Sequence, residues 1–224
     1  MQTMSRRSFL LASLGVASLC LAGCGSGASG AASTSAASAS AVSSSSASSC
    51  VTSASGEYAS GTHHATIEVE GYGAIKLELD ADVAPVTVAN FAKLAGEGFY
   101  DGLTFHRIIE GFMVQGGDPN GNGTGGSDEK IVGEFSDNGH PNSISHVRGT
   151  ISMARSQAYN SASSQFFIMQ ADTPSLDGQY AAFGHVTEGM DVIDAMCEAA
   201  RPTDNNGTIA AADQPRIASV KMDD

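Results

Sequence analysis

His106 and Arg107 are neighbours in the run FHRIIEGFMVQGGD (105–118), and their side chains could do two different kinds of chemistry. A histidine exchanges protons near neutral pH. An arginine keeps its positive charge and presents a planar fork of hydrogen-bond donors. The pair therefore allows either acid–base catalysis by His106 or hydrogen-bond donation from a fixed cation at Arg107.

Residues 118–129, DPNGNGTGGSDE, satisfy the calcium-loop pattern of EF-hands letter for letter. An EF-hand loop needs an amphipathic helix on both sides. Here Gly116-Gly117 and a strand-like run precede the loop, and Gly125 stands where an apolar residue should anchor it. We therefore expect no calcium site in this segment.

The adjacent histidines His63 and His64 have no cysteine or further histidine at a metal-ligand spacing. Zinc sites in proteins use three or four such ligands at characteristic separations. We therefore predict no metal site in the chain.

Residues 1–23 have the features of an export signal, with Arg6-Arg7 before the apolar stretch Phe9–Leu21. Adjacent arginines followed by Phe-Leu resemble a twin-arginine signal. A general secretory signal needs only positive charge, so both routes remain open. The segment ends in LAGC, which resembles a bacterial lipobox; the alternative is a small-residue cleavage site with an incidental cysteine. We expect Cys24 to carry lipid, as in palmitate-modified lipoproteins, and to anchor the chain outside the cytoplasm.

Residues 24–61 predict a flexible tether. From 25 to 55, 26 of 31 residues are Ser, Ala or Gly and none is an acid or a base. Such a segment buries too little apolar surface to offset the entropy of ordering it. Cys50 lies in this tether, and the helical spacing of apolar residues around Cys197 predicts a buried thiol. A Cys50–Cys197 disulfide is the alternative.

The charge is concentrated in the remaining residues. The first acid is Glu57, so residues 57–224 hold all 24 acids and nine of the 11 bases, giving that part −15 against −13 for the chain. This balance excludes a nucleic-acid surface, which needs clustered lysine and arginine, and an electrostatic attachment to anionic lipid. The length suits one domain with its own core, and we expect a monomer.

Residues 62–224 predict one mainly β domain. The alternating runs 65–70 and 74–79 around Gly71-Tyr72-Gly73 predict a hairpin. Pro85 begins a predicted helix that ends at Gly96–Gly98, and a second helix covers about 190–199. Many short strands and two helices favour an antiparallel barrel over a βαβ sheet. The further strands are expected at 103–109, 111–115, 131–135, 149–154, 165–169, 181–186 and 215–222.

The run at 105–118, SSQFFIM at 163–169 and LDGQYAAFGHV at 176–186 closely resemble the cyclophilin family of peptidyl-prolyl isomerases. The resemblance extends from about Thr62 to the C-terminus. It implies a closed eight-stranded antiparallel barrel capped by two helices, with no cofactor. The implied activity is faster rotation about X–Pro bonds in exported or folding proteins. The alternative is a surface module that binds proline-containing segments, or acts as a chaperone, without turnover.

The resemblance also implies roles for single residues. Arg107 matches the donor to the prolyl nitrogen, and Gln115 matches the residue that holds Arg107 and the substrate carbonyl. The reaction transfers no proton, so His106 is interpreted as a structural or rim histidine. The proline pocket matches Phe112, Met113, Phe167, Leu176 and Tyr180, and the edge that pairs with the substrate backbone matches Ala154 and Arg155.

Three positions depart from the family's best-studied members. Ser175 replaces a tryptophan, so an indole donor and a large flat surface are lost. We therefore expect weak binding of the cyclic peptide cyclosporin. Tyr180 replaces a histidine but can still line the pocket with its ring. Arg155 replaces a neutral residue, which suggests a preference for acidic neighbours of the substrate proline.

Overall fold

The computed structural model describes residues 50–224. The predicted signal at 1–23, Cys24 and the tether as far as residue 49 lie outside these described residues. Within residues 50–224, no helix has the length and apolar character needed to cross a membrane.

Ten strands and two helices make up the described part of the chain. In chain order they are β1 (Cys50–Val51), β2 (Thr62–Val69), β3 (Gly73–Asp80), α1 (Pro85–Gly96), β4 (Thr104–Ile109), β5 (Met113–Asp118), β6 (Lys130–Ile131), β7 (Thr150–Met153), β8 (Phe166–Met169), β9 (Ala182–Glu188), α2 (Met190–Ala199) and β10 (Ile217–Met222).

Eight of these strands form one sheet in the order β10-β2-β3-β9-β7-β8-β5-β4. Every neighbouring pair in it is antiparallel. The sheet curls into a half-barrel, and its outer strands β4 and β10 meet at a single bridge between Thr104 and Arg216. The mainly β fold with two helices is as predicted. The prediction of a closed barrel is slightly overstated, because β4 and β10 form no continuous ladder of hydrogen bonds.

The hairpin and both helices lie where the sequence predicts them, but the strand expected at 131–135 ends at Ile131. After Ile131 the chain is not paired with another strand among residues 50–224 and forms hydrogen bonds with side chains and with helix α1 instead. The Gly133 N–H bonds the Asn160 side chain at 3.1 Å. The Glu134 carboxylate turns toward the start of α1. An apolar run alone does not reveal these contacts, because buried loops are also apolar.

Helix α1 begins at Pro85, as predicted, and its first turn is capped by a residue distant in sequence. Pro85 suits this position because its missing N–H would have no partner in the first turn. The buried Glu134 carboxylate accepts bonds from the N–H groups of Val86 at 3.0 Å and Thr87 at 2.8 Å. It therefore satisfies two of the N–H groups that a helix start leaves open.

Residues 50–61, the last part of the predicted tether, pack on the domain. Strand β1 pairs in parallel with β6, and the Val132 N–H donates to the Val51 carbonyl at 2.9 Å. The Tyr58 hydroxyl donates to the Asp224 backbone carbonyl at 2.9 Å. Cys50 therefore lies in a strand. Cys50 and Cys197 are both free thiols here, and Cys197 is buried, as predicted.

Apolar side chains cover both faces of the sheet and form a separate cluster on each face. The larger core lies under α1, where the Phe91 ring meets Tyr100, Phe166 and Phe183 at centroid distances of 5.3, 5.8 and 5.5 Å. A second, small cluster lies on the other side of β5 and β8 and contains Met113, Phe167 and Met169. Neighbouring residues in a strand point to opposite faces. Phe166 therefore belongs to the core, as predicted, and Phe167 to the second cluster.

The segment 173–180 closes one side of the second cluster and is held in place through Asp177. Its carboxylate accepts bonds from the Ser145 hydroxyl at 2.6 Å, the His146 N–H at 2.7 Å and His146 Nδ1 at 2.8 Å. The other ring nitrogen of His146 faces the Ser152 hydroxyl at 3.0 Å. A carboxylate can only accept, so Nδ1 of His146 donates to Asp177, while Nε2 faces a hydroxyl that can donate or accept.

Burial lowers the pKa of His146 and outweighs the opposing effect of Asp177. Burial likewise lowers the pKa of His106, with Asp118 opposing the shift and Arg107 adding to it. Both histidines start from an ordinary value of 6.5. The unfolded chain therefore binds more protons than the folded chain just below that value. Their contribution to stability is complete above about pH 6.5 and is lost as the pH falls.

We expect the free energy of unfolding to fall between about pH 7 and pH 5.5, and the slope to be shallower in His146→Asn. The variant removes one of the two buried groups that take up a proton on unfolding. Urea titrations at several pH values measure the slope. His185→Asn is the matched control, because His185 is exposed. An unchanged slope in His146→Asn would contradict the prediction.

Candidate active site

One hollow of about 150 Å³ brings together the nine residues that the sequence analysis assigns to catalysis and substrate binding. They come from β4, from β5 and the turn before it, from β8, from the chain after β7, and from the segment 173–180. The lining consists of Arg107, Phe112, Met113, Gln115, Ala154, Arg155, Phe167, Leu176 and Tyr180.

Arg107 is fixed from two sides. It pairs with Gln115 across β4 and β5, and its Nη1 donates to Gln115 Oε1 at 3.3 Å. Its Nε donates to the Asn206 carbonyl at 2.7 Å. Gln115 is itself held, since its Nε2 donates to Gln165 Oε1 at 2.9 Å. The guanidinium plane is thereby oriented before any ligand enters.

The half-buried Arg107 guanidinium keeps unused donors. Among residues 50–224, its Nη2 has no hydrogen-bond partner. Burial lowers the pKa of Arg107, while Tyr180 and Asp204 oppose the shift. An arginine nevertheless stays protonated in proteins. The hollow therefore contains a fixed cation with a free N–H group at the edge of an apolar surface.

That apolar surface is formed by sulfur and ring atoms. Met113 and Phe167 are 1% and 5% exposed, so they are ordered by the surrounding sheet. Tyr180 stands edge-on to Phe167, with ring centroids 5.7 Å apart and an interplanar angle of 88°. The two rings therefore touch and form one continuous apolar wall, against which a ring-shaped group of a ligand can pack.

Arg155 lines the hollow, but its guanidinium is bound to its own chain. Nε and Nη2 both donate to the Gln179 carbonyl, at 2.9 and 2.8 Å. Nη1 donates to the carbonyls of Ser156 at 2.9 Å and Gln157 at 3.3 Å. The sequence analysis placed this cation beside the substrate proline to attract acidic neighbours. Its donors instead face backbone oxygens.

His106 does not line the hollow. The pairing of β4 with β5 shifts register between Phe105 and Arg107, so the regular alternation of side chains is interrupted at His106. His106 is 3% exposed, and neither ring nitrogen has a partner among residues 50–224. A Cβ added at Gly123 would lie 3.7 Å from its Nε2, so the ring packs against the glycine-rich loop. The buried ring therefore does not enter the hollow that Arg107 and the apolar residues line.

The loop with the EF-hand pattern runs between two strands, β5 and β6, rather than two helices. The Asp118 carboxylate faces the loop's own backbone and accepts bonds from the N–H groups of Asn120, Asn122 and Gly123. Burial opposes ionisation of Asp118, but these bonds outweigh it and lower its pKa. Glu129 pairs with Lys93 on α1 at 2.6 Å. The two carboxylates at the ends of the pattern therefore have separate structural partners.

Asp177, His146 and Ser152 are connected in the order of a hydrolase triad. Ser152 is completely buried within β7, and His146 is 1% exposed. A nucleophile must be reachable by substrate, so this constellation is structural. It lies behind the hollow, with the His146 ring stacked on Phe167 at 6.0 Å.

Sequence reasoning missed two residues that hold the site, Gln165 and Asn206. Gln165 lies within the motif SSQFFIM, and its Nε2 also donates to the Gly125 carbonyl at 2.8 Å. A polar residue directly before two phenylalanines in a predicted strand could have indicated that Gln165 belongs to the site. Asn206 contributes only a backbone carbonyl, which no side-chain pattern can reveal.

Comparison with known proteins agrees with this geometry. Residues 64–222 match the sequence profile of the family described as cyclophilin type peptidyl-prolyl cis-trans isomerase/CLD. The chain is 48% identical over 123 residues to peptidyl-prolyl cis-trans isomerase B of Bacillus subtilis, covering 55% of this chain and 82% of that protein. It is 47% identical over 137 residues to an isomerase of Helicobacter pylori, covering 60% and 80% respectively.

A solved structure leads to the same family. The crystal structure of a cyclophilin type isomerase of Cryptosporidium parvum superposes with a TM-score of 0.64 and 29% identity, covering 73% of this chain and 99% of that one. A second structure of that protein, in the presence of the dipeptide Ala-Pro, gives a TM-score of 0.63. With residues 64–222 matching the family profile, relatives near 48% identity and the same fold, the chain belongs to the cyclophilin family of peptidyl-prolyl cis-trans isomerases.

Proposed function

We propose that the hollow around Arg107 is where this isomerase binds a substrate proline and accelerates rotation of the preceding peptide bond. The observation that carries the proposal is the combination, in one hollow, of an apolar ring-sized surface and a fixed guanidinium with a free donor. All nine lining residues belong to one chain. The site therefore needs no second copy, and we propose a monomer.

The uncatalysed bond rotates slowly because amide resonance must be lost, at a barrier of about 18–20 kcal/mol. In the twisted state the lone pair of the prolyl nitrogen leaves conjugation and can accept a hydrogen bond. The free Nη2 of Arg107 supplies the donor. This bond exists only in the twisted state, so it lowers the barrier rather than only tightening binding.

The other residues hold the substrate while the bond turns. Phe112, Met113, Phe167, Leu176 and Tyr180 contact the proline ring, and Gln115 orients Arg107. The backbone N–H of Arg155 donates to no acceptor among residues 50–224. It is thus available to the substrate backbone on the N-terminal side of the proline. The side chain of Ala154 is small enough to let that backbone approach.

We expect Arg107→Ala to lower kcat/KM for an X–Pro peptide by about 10²–10³-fold, the usual effect of removing one transition-state donor. Peptide affinity should change much less, because the apolar wall is intact. A proline-limited assay and a peptide titration on the purified chain measure both quantities.

Arg216→Ala is the control for Arg107→Ala, since Arg216 pairs with Glu70 and bonds the Gly102 carbonyl away from the hollow. Equal activity of Arg107→Ala and wild type would overturn the mechanism. Peptide binding without acceleration by wild type would favour the non-catalytic binding module.

We expect cyclosporin to bind this chain weakly, with inhibition far above nanomolar concentrations. Ser175 is exposed and small, so no indole N–H or flat surface stands at that side of the hollow. Inhibition of the isomerase by increasing cyclosporin measures the affinity. Ser175→Trp should tighten the inhibition, and nanomolar inhibition of wild type would contradict the expectation.

We also propose that the enzyme works outside the cytoplasm, attached to the cell membrane through lipid on Cys24, on proteins that fold after export. Arg6-Arg7, the apolar stretch that follows and LAGC before the Ser/Ala-rich segment support this. Cys24→Ser should move the protein from the membrane fraction to the soluble fraction of the producing cells. Ser26→Ala is the control. An unchanged distribution would exclude the lipid anchor.

A further inference from the structure

The Arg155 guanidinium directs four of its five N–H groups at backbone carbonyls of the protein. Three of its nitrogens make four bonds to the carbonyl oxygens of Ser156, Gln157 and Gln179, at 2.8–3.3 Å. A guanidinium carries five N–H donors, so most of its donor capacity is directed into the protein. A substrate carboxylate could pair with this guanidinium in the bidentate manner only by displacing at least one of these bonds.

Three aromatic rings surround the same cation. Its central carbon lies 4.8 Å from the ring centroid of Tyr180, 5.0 Å from Tyr159 and 5.1 Å from Phe135. These distances lie within the range of cation–π attraction. Tyr180 is the only one of the three that also lines the hollow.

These contacts join two separate parts of the chain. The loop after β7 carries Arg155, and the segment 173–180 carries Gln179 and Tyr180. On its other side this segment is fixed by the bonds of Asp177 to Ser145 and His146. Arg155 therefore holds the C-terminal end of a wall whose middle is held by Asp177.

We propose that Arg155 is a positioning residue, which acts on substrate by holding the Tyr180 ring against Phe167 as one wall of the proline pocket. This rests on the proposed function of the hollow. It replaces the expectation that Arg155 attracts acidic neighbours of proline. The wall contacts the proline ring in the planar and the twisted state alike, so it supplies uniform binding. Loss of uniform binding raises KM and leaves kcat unchanged.

The test is Arg155→Ala and Arg155→Met in the full chain, with initial rates over a range of concentrations of Glu-Pro, Ala-Pro and Lys-Pro peptides. We expect KM to rise about tenfold for all three peptides, with kcat unchanged within about twofold. Arg155→Met keeps an apolar stem against the rings, so it separates loss of the guanidinium from loss of packing. Arg155→Lys should restore only part of the affinity, because an ammonium lacks the planar fork.

A double-mutant cycle tests whether Arg155 acts through Tyr180. In the Tyr180→Ala background, Arg155→Ala should have much less than its single effect on KM, because residues that share a function are not additive. Arg216→Ala should change neither constant. Near-ultraviolet circular dichroism and a urea midpoint identify any variant that has lost its fold.

Three outcomes would overturn the proposal. They are an unchanged KM in a folded Arg155 variant, a rise confined to Glu-Pro peptides, and additivity with Tyr180→Ala. An inactive wild-type chain would instead contradict the proposed function. The Kd values of the same peptides would then still report whether Arg155 holds a binding wall.

Discussion

Side-chain alternation along β5 and β8 is the constraint on which the rest of the structure depends. One face of these strands contributes Phe166 to the aromatic core, and the opposite face contributes Met113 and Phe167 to the hollow. A one-residue slip in register would exchange the two faces. The pairing of Gln115 with Phe167, and of Arg107 with Gln115, therefore fixes the core and the site together.

Polar contacts behind the hollow make it rigid. Arg107, Gln115 and Gln165 form a chain of hydrogen bonds that ends at the Gly125 carbonyl. His146 and Asp177 hold the opposite wall, with the His146 ring buried and the Asp177 carboxylate at the surface. The side chains of such a preorganised site lose little conformational entropy when a substrate binds. The reaction needs such order because it depends on aiming one donor at one nitrogen.

Much of the fold and of the site could be predicted from the sequence, and the predictions that failed have identifiable physical causes. The split between Phe166 and Phe167 follows from strand period alone, and Pro85 marked the start of α1. The strand expected at 131–135 failed because Glu134 is used to cap α1. The end of the tether was placed too late because the pairing of Cys50–Val51 with β6 is a long-range contact. For Arg155, residue type indicated a charge, but only the fold showed that the charge faces carbonyl oxygens.

The attachment of residues 50–61 determines how the domain meets mechanical force. Tension on the chain from its N-terminal side reaches the two-residue pairing of β1 with β6 first. The next attachment is the bond from Tyr58 to Asp224, and only then does the load reach β2, which lies between β10 and β3 in the sheet. A pairing of two residues is much weaker than the eight-residue ladder of β2 with β3, so such tension would open it before it opens the sheet.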